Sequence, residues 1–322
     1  MTEQAGVKPR IVFMGTPDFA VHSLRALLAA GYPIAAVVTQ PDRPVGRKRV
    51  LAPTPVKAEA LLHGIPVLQP ERLRRPEAVE AVAAYLPDLI ITAAYGQILP
   101  PSVLSLPPLG CINVHGSLLP KYRGGAPIQR SIMEGEKVTG VTIMYMAEGL
   151  DTGDMISKIE VPITDEDTSG TVFDKLSAAG AELLVRTVPA LVDGTAGRTA
   201  QEHEEATYAP NVTRDDERVE WSRPARAIYD QIRALSPRPG AFTLWNGEVF
   251  KLWKAEVPRG GGTNAEPGTV VAIGPDALQI AAGDGVLRVT EVQPAGKKAI
   301  PVSEFVKSGQ MKPGDRLGGT HS

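Results

Sequence analysis

Ile11-Val12-Phe13-Met14-Gly15-Thr16-Pro17-Asp18 is the stretch on which the fold turns. Its four leading apolar residues predict a short strand buried on both faces. Thr16 suits a helix N-cap and Pro17 the first helical position, so a helix should follow through Leu28. The same alternation recurs outward from this point. Ile34 to Thr39, Asp88 to Ala93 and Gly110 to Val114 predict further buried strands, with helices over 54–62 and 77–85. Short strands separated by helices imply βαβ units. The first half is therefore expected to be a Rossmann-like α/β domain, its mostly parallel sheet covered on both faces and its ligand site beyond the C-terminal strand ends.

Val138 to Met146 and Met155 to Val161 predict a paired extension of that sheet. Thr168 to Leu191 has helical spacing at Val172, Leu176, Leu183 and Leu184. From Arg198 to Glu220 the chain is polar and acidic without an apolar period, which predicts a surface linker. One helix over 224–235 precedes five alternating segments, at 242–245, 249–256, 268–273, 278–282 and 286–292, joined by Gly, Pro and Asn. Such spacing fits a small OB-like β-barrel, and a sandwich fits it equally. The expected division is a catalytic domain over 1–197, a linker over 198–220 and a C-terminal barrel domain over 221–322.

Composition agrees with two globular domains: 322 residues exceed the roughly 100 to 200 of one domain. A formal charge of −2 disfavours a polyanionic partner unless the cations are concentrated somewhere. The single cysteine, Cys111, excludes an internal disulfide and fits a reducing compartment. There is no apolar run of about eighteen residues and no secretion-type apolar segment near Met1, so a cytoplasmic protein is expected.

Several chemistries find no support. Gly15 stands alone where a dinucleotide fingerprint needs three glycines, no phosphate-cradling Gly-x-x-x-x-Gly-Lys occurs, and the histidines at 22, 63, 115, 203 and 321 are scattered. No metal is expected. Ser117 follows Gly116 but lacks the Gly-x-Ser-x-Gly elbow of a nucleophile.

Two constellations remain. Asn113 and His115 close a predicted strand, and in an extended chain residues two apart share a face. A carboxamide and an imidazole there could donate together to an oxyanion developing on a carbonyl, or they could terminate a strand by bonding local backbone. Glu148-Gly149-Leu150-Asp151-Thr152-Gly153-Asp154 is a glycine-bracketed acidic turn. It could be an ordinary Asx-turn, or it could bring a carboxylate to orient His115.

Gly15-Thr16-Pro17-Asp18-Phe19-Ala20, Thr39-Gln40-Pro41-Asp42-Arg43, Asn113 through Pro120, Arg123-Gly124, Ala126-Pro127-Ile128-Gln129 and Leu150-Asp151-Thr152-Gly153 together resemble the folate-dependent formyltransferases. Ser236-Pro237-Arg238-Pro239-Gly240-Ala241 is similar to the second domain of the members that act on tRNA, so the resemblance spans nearly the whole chain. It implies transfer of the formyl group of 10-formyltetrahydrofolate to the α-amine of methionine carried by initiator tRNA. Asn113 and His115 would hold the oxyanion, and Asp151 would orient His115 and accept the amine proton, directly or through a water. Ser117, Leu118, Leu119 and Pro120 match the folate-contacting segment, and Tyr95 and Gly96 resemble another wall of that pocket. Lys121-Tyr122-Arg123 departs from the family's basic–Trp–basic triplet, with Tyr122 in place of the indole. A monomer without a membrane partner is expected.

Charge supports the RNA side separately. Residues 42–57 carry five basic residues against Asp42, a net +4, flanked by prolines. This segment is expected to be a mobile loop, either merely solvated or closing on tRNA phosphates through Arg43, Arg47, Lys48 and Arg49, with Arg47 foremost. The region from Trp221 onward is also +4, so the near-neutral total averages an acidic scaffold with two basic surfaces. Trp221, Trp245 and Trp253 fit barrel packing better than base stacking.

Overall fold

A computed structural model describes residues 8–46, 49–258 and 262–319. β1 (Ile11–Gly15) is buried along its whole length and leads into α1 (Asp18–Ala29). There follow β2 (Ile34–Val38), β3 (Arg43–Val45), β4 (Val50–Ala52), α2 (Pro55–Leu62), β5 (Val67–Leu68), α3 (Pro76–Ala83), β6 (Leu89–Ala93), α4 (Pro101–Leu104) and β7 (Cys111–His115). α5 (Pro127–Met133), β8 (Val138–Tyr145), β9 (Met155–Pro162), α6 (Ser169–Val192), α7 (Arg214–Glu217) and α8 (Ala225–Ala234) come next. The last elements are β10 (Ala241–Trp245), β11 (Glu248–Glu256), β12 (Val270–Ile273), β13 (Leu278–Ala282), β14 (Gly285–Gln293), β15 (Ile300–Pro301) and α9 (Val302–Phe305). Two compact units result: one from residues up to Gly124 with Val138–Pro162 and Phe173–Tyr208, the other from Gly125–Lys137, Ile163–Val172 and the residues from Ala209 onward.

The first unit is built on a seven-stranded sheet of order β5-β2-β1-β6-β7-β8-β9. β5, β2, β1, β6 and β7 run parallel, and β8 and β9 add an antiparallel extension. β2 and β6 flank β1 on opposite sides, so the strand order reverses there and a crevice opens beyond the C-terminal ends of β1, β6 and β7. Gly15 is required at that end: a Cβ on it would come within 2.5 Å of Ala20 Cβ and 3.0 Å of Ala93 O. One face of the sheet buries Val12, Met14, Val38, Ile90 and Tyr95 with Leu73, Val82 and Val103. None of the described helices is long and apolar enough to cross a membrane.

The second unit contains an antiparallel sheet of order β10-β11-β14-β13-β12, with β15 on β14. Its two edges are joined by the C-terminal segment. Leu317 N donates to Gly268 O and Val270 N to Asp315 O beside β12, while Gly318 N donates to Leu244 O of β10. The ladder is thereby closed into a barrel. α8 packs Ile228 and Ile232 against Phe250, Leu252, Leu287 and Val289. Trp221 is buried and donates from Nε1 to Thr243 Oγ1 (3.0 Å), so this indole is core rather than a base platform.

Three local expectations change. Residues 43–45 and 50–52 pair as antiparallel strands rather than lying in an irregular loop: Arg43 pairs with Ala52 and Pro44 with Leu51, and Gly46 (φ +71°) and Arg49 (φ +48°) take left-handed backbone between them. A two-stranded ladder satisfies backbone groups whatever the side chains carry, so polarity alone does not exclude it. Pro17 rather than Thr16 occupies the N-cap of α1, because Thr16 Oγ1 is drawn away to Tyr95 O (2.8 Å). The stretch 198–220, expected as a surface linker, is stitched down: Thr199 pairs with Met155, Tyr208 with Arg123, and Gln201, Ala209 and Val219 are buried. Tertiary partners supply the order that its composition does not advertise.

Candidate active site

β7 delivers Asn113 and His115 to the crevice from one face of the strand, in register with Met144 and Thr142 of β8. Asn113 is half-buried. Its Oδ1 accepts from Thr92 Oγ1 on β6 (2.7 Å), which leaves the Nδ2 hydrogens as the end able to donate outward. His115 is 6% exposed, and its Nε2 lies 3.0 Å from Tyr122 O. A carbonyl can only accept, so Nε2 carries a hydrogen. Nδ1 then faces Asp151 Oδ2 at 3.7 Å, too long for a direct hydrogen bond but close enough for the carboxylate to attract a protonated ring.

Asp151 stands on the turn between β8 and β9 with φ +50°. Its Oδ2 accepts from Gly124 N (2.8 Å), so one oxygen is tethered while facing His115. Gly153 allows the turn to close, since a Cβ there would sit 1.9 Å from Tyr145 O. The structure thus gathers Asn113, His115 and Asp151 into one group.

The segment after β7 alternates in burial. Ser117 and Leu119 are fully buried, whereas Leu118 and Pro120 are partly open. Ser117 Oγ donates to Lys121 O (2.6 Å), Thr142 Oγ1 donates to Ser117 O (2.7 Å) and accepts from Leu119 N (3.1 Å), and Lys158 Nζ donates to Leu119 O (2.6 Å). Ser117 and Leu119 therefore shape this wall, and Leu118 and Pro120 are the members able to present side chains. Tyr95 is buried in the core and its phenol is pushed upward by burial, while Gly96 is exposed with φ +89°. Burial also pushes the Cys111 thiol up to about 12, so it is an inert packing residue.

Within the basic stretch, Arg43 on β3 pairs with Glu71 (3.0 Å), and Lys57 on α2 with Asp42 (2.6 Å). Lys57, together with Gln69, holds the Asp42 carboxyl below its ordinary range. Part of the +4 is consequently spent within the fold. Arg49 is exposed and makes no ion pair among the described residues, whereas Arg47 and Lys48 lie outside the described residues. In the second unit Lys297, Lys298, Lys307 and Lys312 are exposed without ion pairs among the described residues.

Residue-type reasoning missed Thr92, which orients Asn113, and Gln201, whose Nε2 donates to Asp151 O (2.8 Å) and Gly153 O (2.7 Å). Thr92 could have been found as the residue near the C-terminal end of the neighbouring strand that pairs with Asn113. Gln201, fifty residues beyond Asp151, carried no local signal.

Residues 9–188 match the family model described as "Formyl transferase", and residues 211–310 the one described as "Formyl transferase, C-terminal domain". The chain is 56% identical over 313 residues to the methionyl-tRNA formyltransferase of Bacillus subtilis, across 96% of this chain and 98% of that one. It is 54% identical over 312 residues to the methionyl-tRNA formyltransferase of Geobacillus thermodenitrificans, across 96% and 97%. Among solved structures, HypX from Aquifex aeolicus in complex with tetrahydrofolic acid shares the fold, with a TM-score of 0.63 and 20% identity over 92% of this chain. This chain spans about half of that protein, 47% of its length. With both family domains matched in order and similarity to curated relatives running nearly end to end, the chain belongs to the formyl transferase family.

Proposed function

We propose that this protein transfers the formyl group of 10-formyltetrahydrofolate to the α-amine of methionyl initiator tRNA, giving formylmethionyl-tRNA for translation initiation. The observation that carries this reading is coverage: the similarity to methionyl-tRNA formyltransferases runs over 96% of the chain, and both the first and the C-terminal family segments are matched. The folate co-substrate supplies a formyl group activated for transfer. The residues present suit it. Asn113 has its oxygen occupied by Thr92 and its N–H groups available, beside the partly open Leu118 and Pro120. Tyr95 and Gly96 contribute a further wall.

As the amine adds to the formyl carbon, negative charge develops on the formyl oxygen. Asn113 Nδ2–H donates to it, and so does the doubly protonated His115 ring through Nδ1–H, the ring nitrogen that Tyr122 O does not engage, each donor being worth about 3 kcal/mol in barrier terms. The amine must lose a proton once it has added. Asp151 Oδ2 takes it, directly or through a water, and the nearby His115 Nδ1, 3.7 Å away, is kept oriented by the same carboxylate; as the oxyanion collapses, the bond from the formyl carbon to the folate N10 breaks and N10 takes up the proton the amine gave up. Arg43 and Arg49 on the hairpin, Arg47 and Lys48 of the same basic stretch, and the barrel lysines without ion pairs among the described residues are the candidate contacts to tRNA phosphates. Catalytic residues 1–197, connecting residues 198–220 and tRNA-binding residues 221–322 form the functional division of the chain. It acts as a monomer in the cytoplasm, where charged tRNA is made, and sedimentation of the pure protein checks the monomer.

The deciding assay is formyl transfer to methionyl initiator tRNA from supplied folate, with methionyl elongator tRNA and a sugar-nucleotide amine as controls. Transfer to the initiator alone is the expected result. Formylation of only the sugar amine, or of neither tRNA by folded protein, would overturn the reading.

A further inference from the structure

Arg123 is 2% exposed, and among the described residues no carboxylate is its partner. A buried guanidinium without a counter-ion is costly, so its hydrogen bonds need a reason. Nε and Nη2 both donate to Gln201 Oε1, at 3.0 and 2.7 Å, and Nη2 also lies 3.2 Å from His203 Nδ1. Arginine only donates, so the Gln201 atom facing it must be the oxygen, which fixes the carboxamide's orientation. The Gln201 nitrogen then directs its two hydrogens to Asp151 O (2.8 Å) and Gly153 O (2.7 Å). Gln201 is itself 5% exposed, so water does not compete for these bonds.

Three consecutive residues converge on the same pair of groups. Tyr122 O takes His115 Nε2–H, the Arg123 side chain reaches the Asp151 backbone through Gln201, and Gly124 N–H holds the Asp151 carboxylate. Asp151 sits at φ +50°, a conformation that persists only where surrounding bonds enforce it. Gln201 lies between the two family-matched segments, at the foot of the stretch that composition marks as a linker.

We propose that Arg123 and Gln201 are positioning residues: a relay from the Arg123 guanidinium through the Gln201 carboxamide to the carbonyls of Asp151 and Gly153 sets the distance between Asp151 and His115. The relay touches no reacting atom. It holds the turn so that the carboxylate meets His115 Nδ1 and the amine proton, and it rests on the functional reading above. A shift of the turn by a fraction of an ångström would leave both substrates bound but misplace the proton acceptor.

Gln201→Glu separates positioning from structural support. The introduced carboxylate keeps and strengthens the contact with Arg123, but it turns two donors into acceptors facing two carbonyls. Expected in the full chain are a kcat lowered about 10- to 100-fold, KM for each substrate within about twofold, and an unchanged melting temperature. The His115 ring 15N resonances, assigned by comparison with His115→Asn, should shift in the same protein. Gln201→Leu, which removes all four bonds at similar volume, provides the same readouts where the new charge disturbs folding. Unshifted ring resonances together with kcat within about twofold of the parent would overturn the relay. The resonance measurement needs no turnover, so a parent inactive on tRNA would sink the functional reading while still deciding the relay.

Discussion

His115 is held on both sides by groups of fixed chemistry, a carbonyl at Nε2 and a carboxylate toward Nδ1. An oxyanion donor acts on the transition state more than on bound substrate, so His115→Ala should lower kcat by about 100-fold or more while the folded protein keeps its melting temperature. Steady-state kinetics beside thermal denaturation checks this, and near-normal turnover would remove His115 from the mechanism. Thr92 offers a finer test. Its hydroxyl is the group that pins Asn113 Oδ1, so Thr92→Val frees the carboxamide to rotate and to present an oxygen where a donor is needed. We expect kcat to fall about tenfold with KM little changed. Asn113 and His115 were readable from their spacing at a strand end, whereas their orienting partners Thr92, Tyr122 O and Asp151 come from other segments. Pairing across segments is not encoded in local pattern.

Among the elements, the β3–β4 hairpin carries the clearest electrostatic contrast. Arg43 is already paired with Glu71, while Arg49 is exposed without an ion pair among the described residues. Each phosphate contact contributes about one unit of salt dependence. Arg49→Ala should raise KM for tRNA several-fold at low salt and flatten the plot of log kcat/KM against log salt by about one. Arg43→Ala should flatten it less, because binding must first compete with Glu71. Equal slopes for parent and Arg49→Ala would remove Arg49 from the contact. The strands and long helices were predictable because their apolar periods exceed the noise of single residues. The hairpin, α5 and the two-residue β5 were not, since nothing apolar or periodic distinguishes them. They form because the backbone ladder or a neighbouring surface completes them.

For the whole molecule, charge placement governs the acid limb of stability. In the second unit Arg130 on α5 meets Asp216 on α7 through paired hydrogen bonds, at 2.8 and 2.7 Å, and holds that carboxyl well below its ordinary range; Thr213 adds backbone and hydroxyl donors. A carboxyl depressed on folding contributes stability that is complete above its unfolded value of about 3.9 and is lost as pH falls through the lower folded value. Asp216→Asn should therefore destabilise the protein by about 1 kcal/mol near neutrality, a figure kept small because the pair is partly solvated. The gap between parent and variant should close below about pH 4. Urea titrations across pH check the sign, and a gap that widened in acid would refute it.

Strand and helix order, the strand-end location of the site and the Asn113 and His115 pair follow from the linear chain, because burial periodicity and alternation of side chains are local properties. The distribution of charge into two basic regions follows from it as well. Only the tertiary structure brings Asp151 to His115, places Gln201 under that turn from fifty residues away, and closes the barrel with residues 314–318. These are contacts between distant segments, decided by which buried donors and acceptors must find partners once water is excluded.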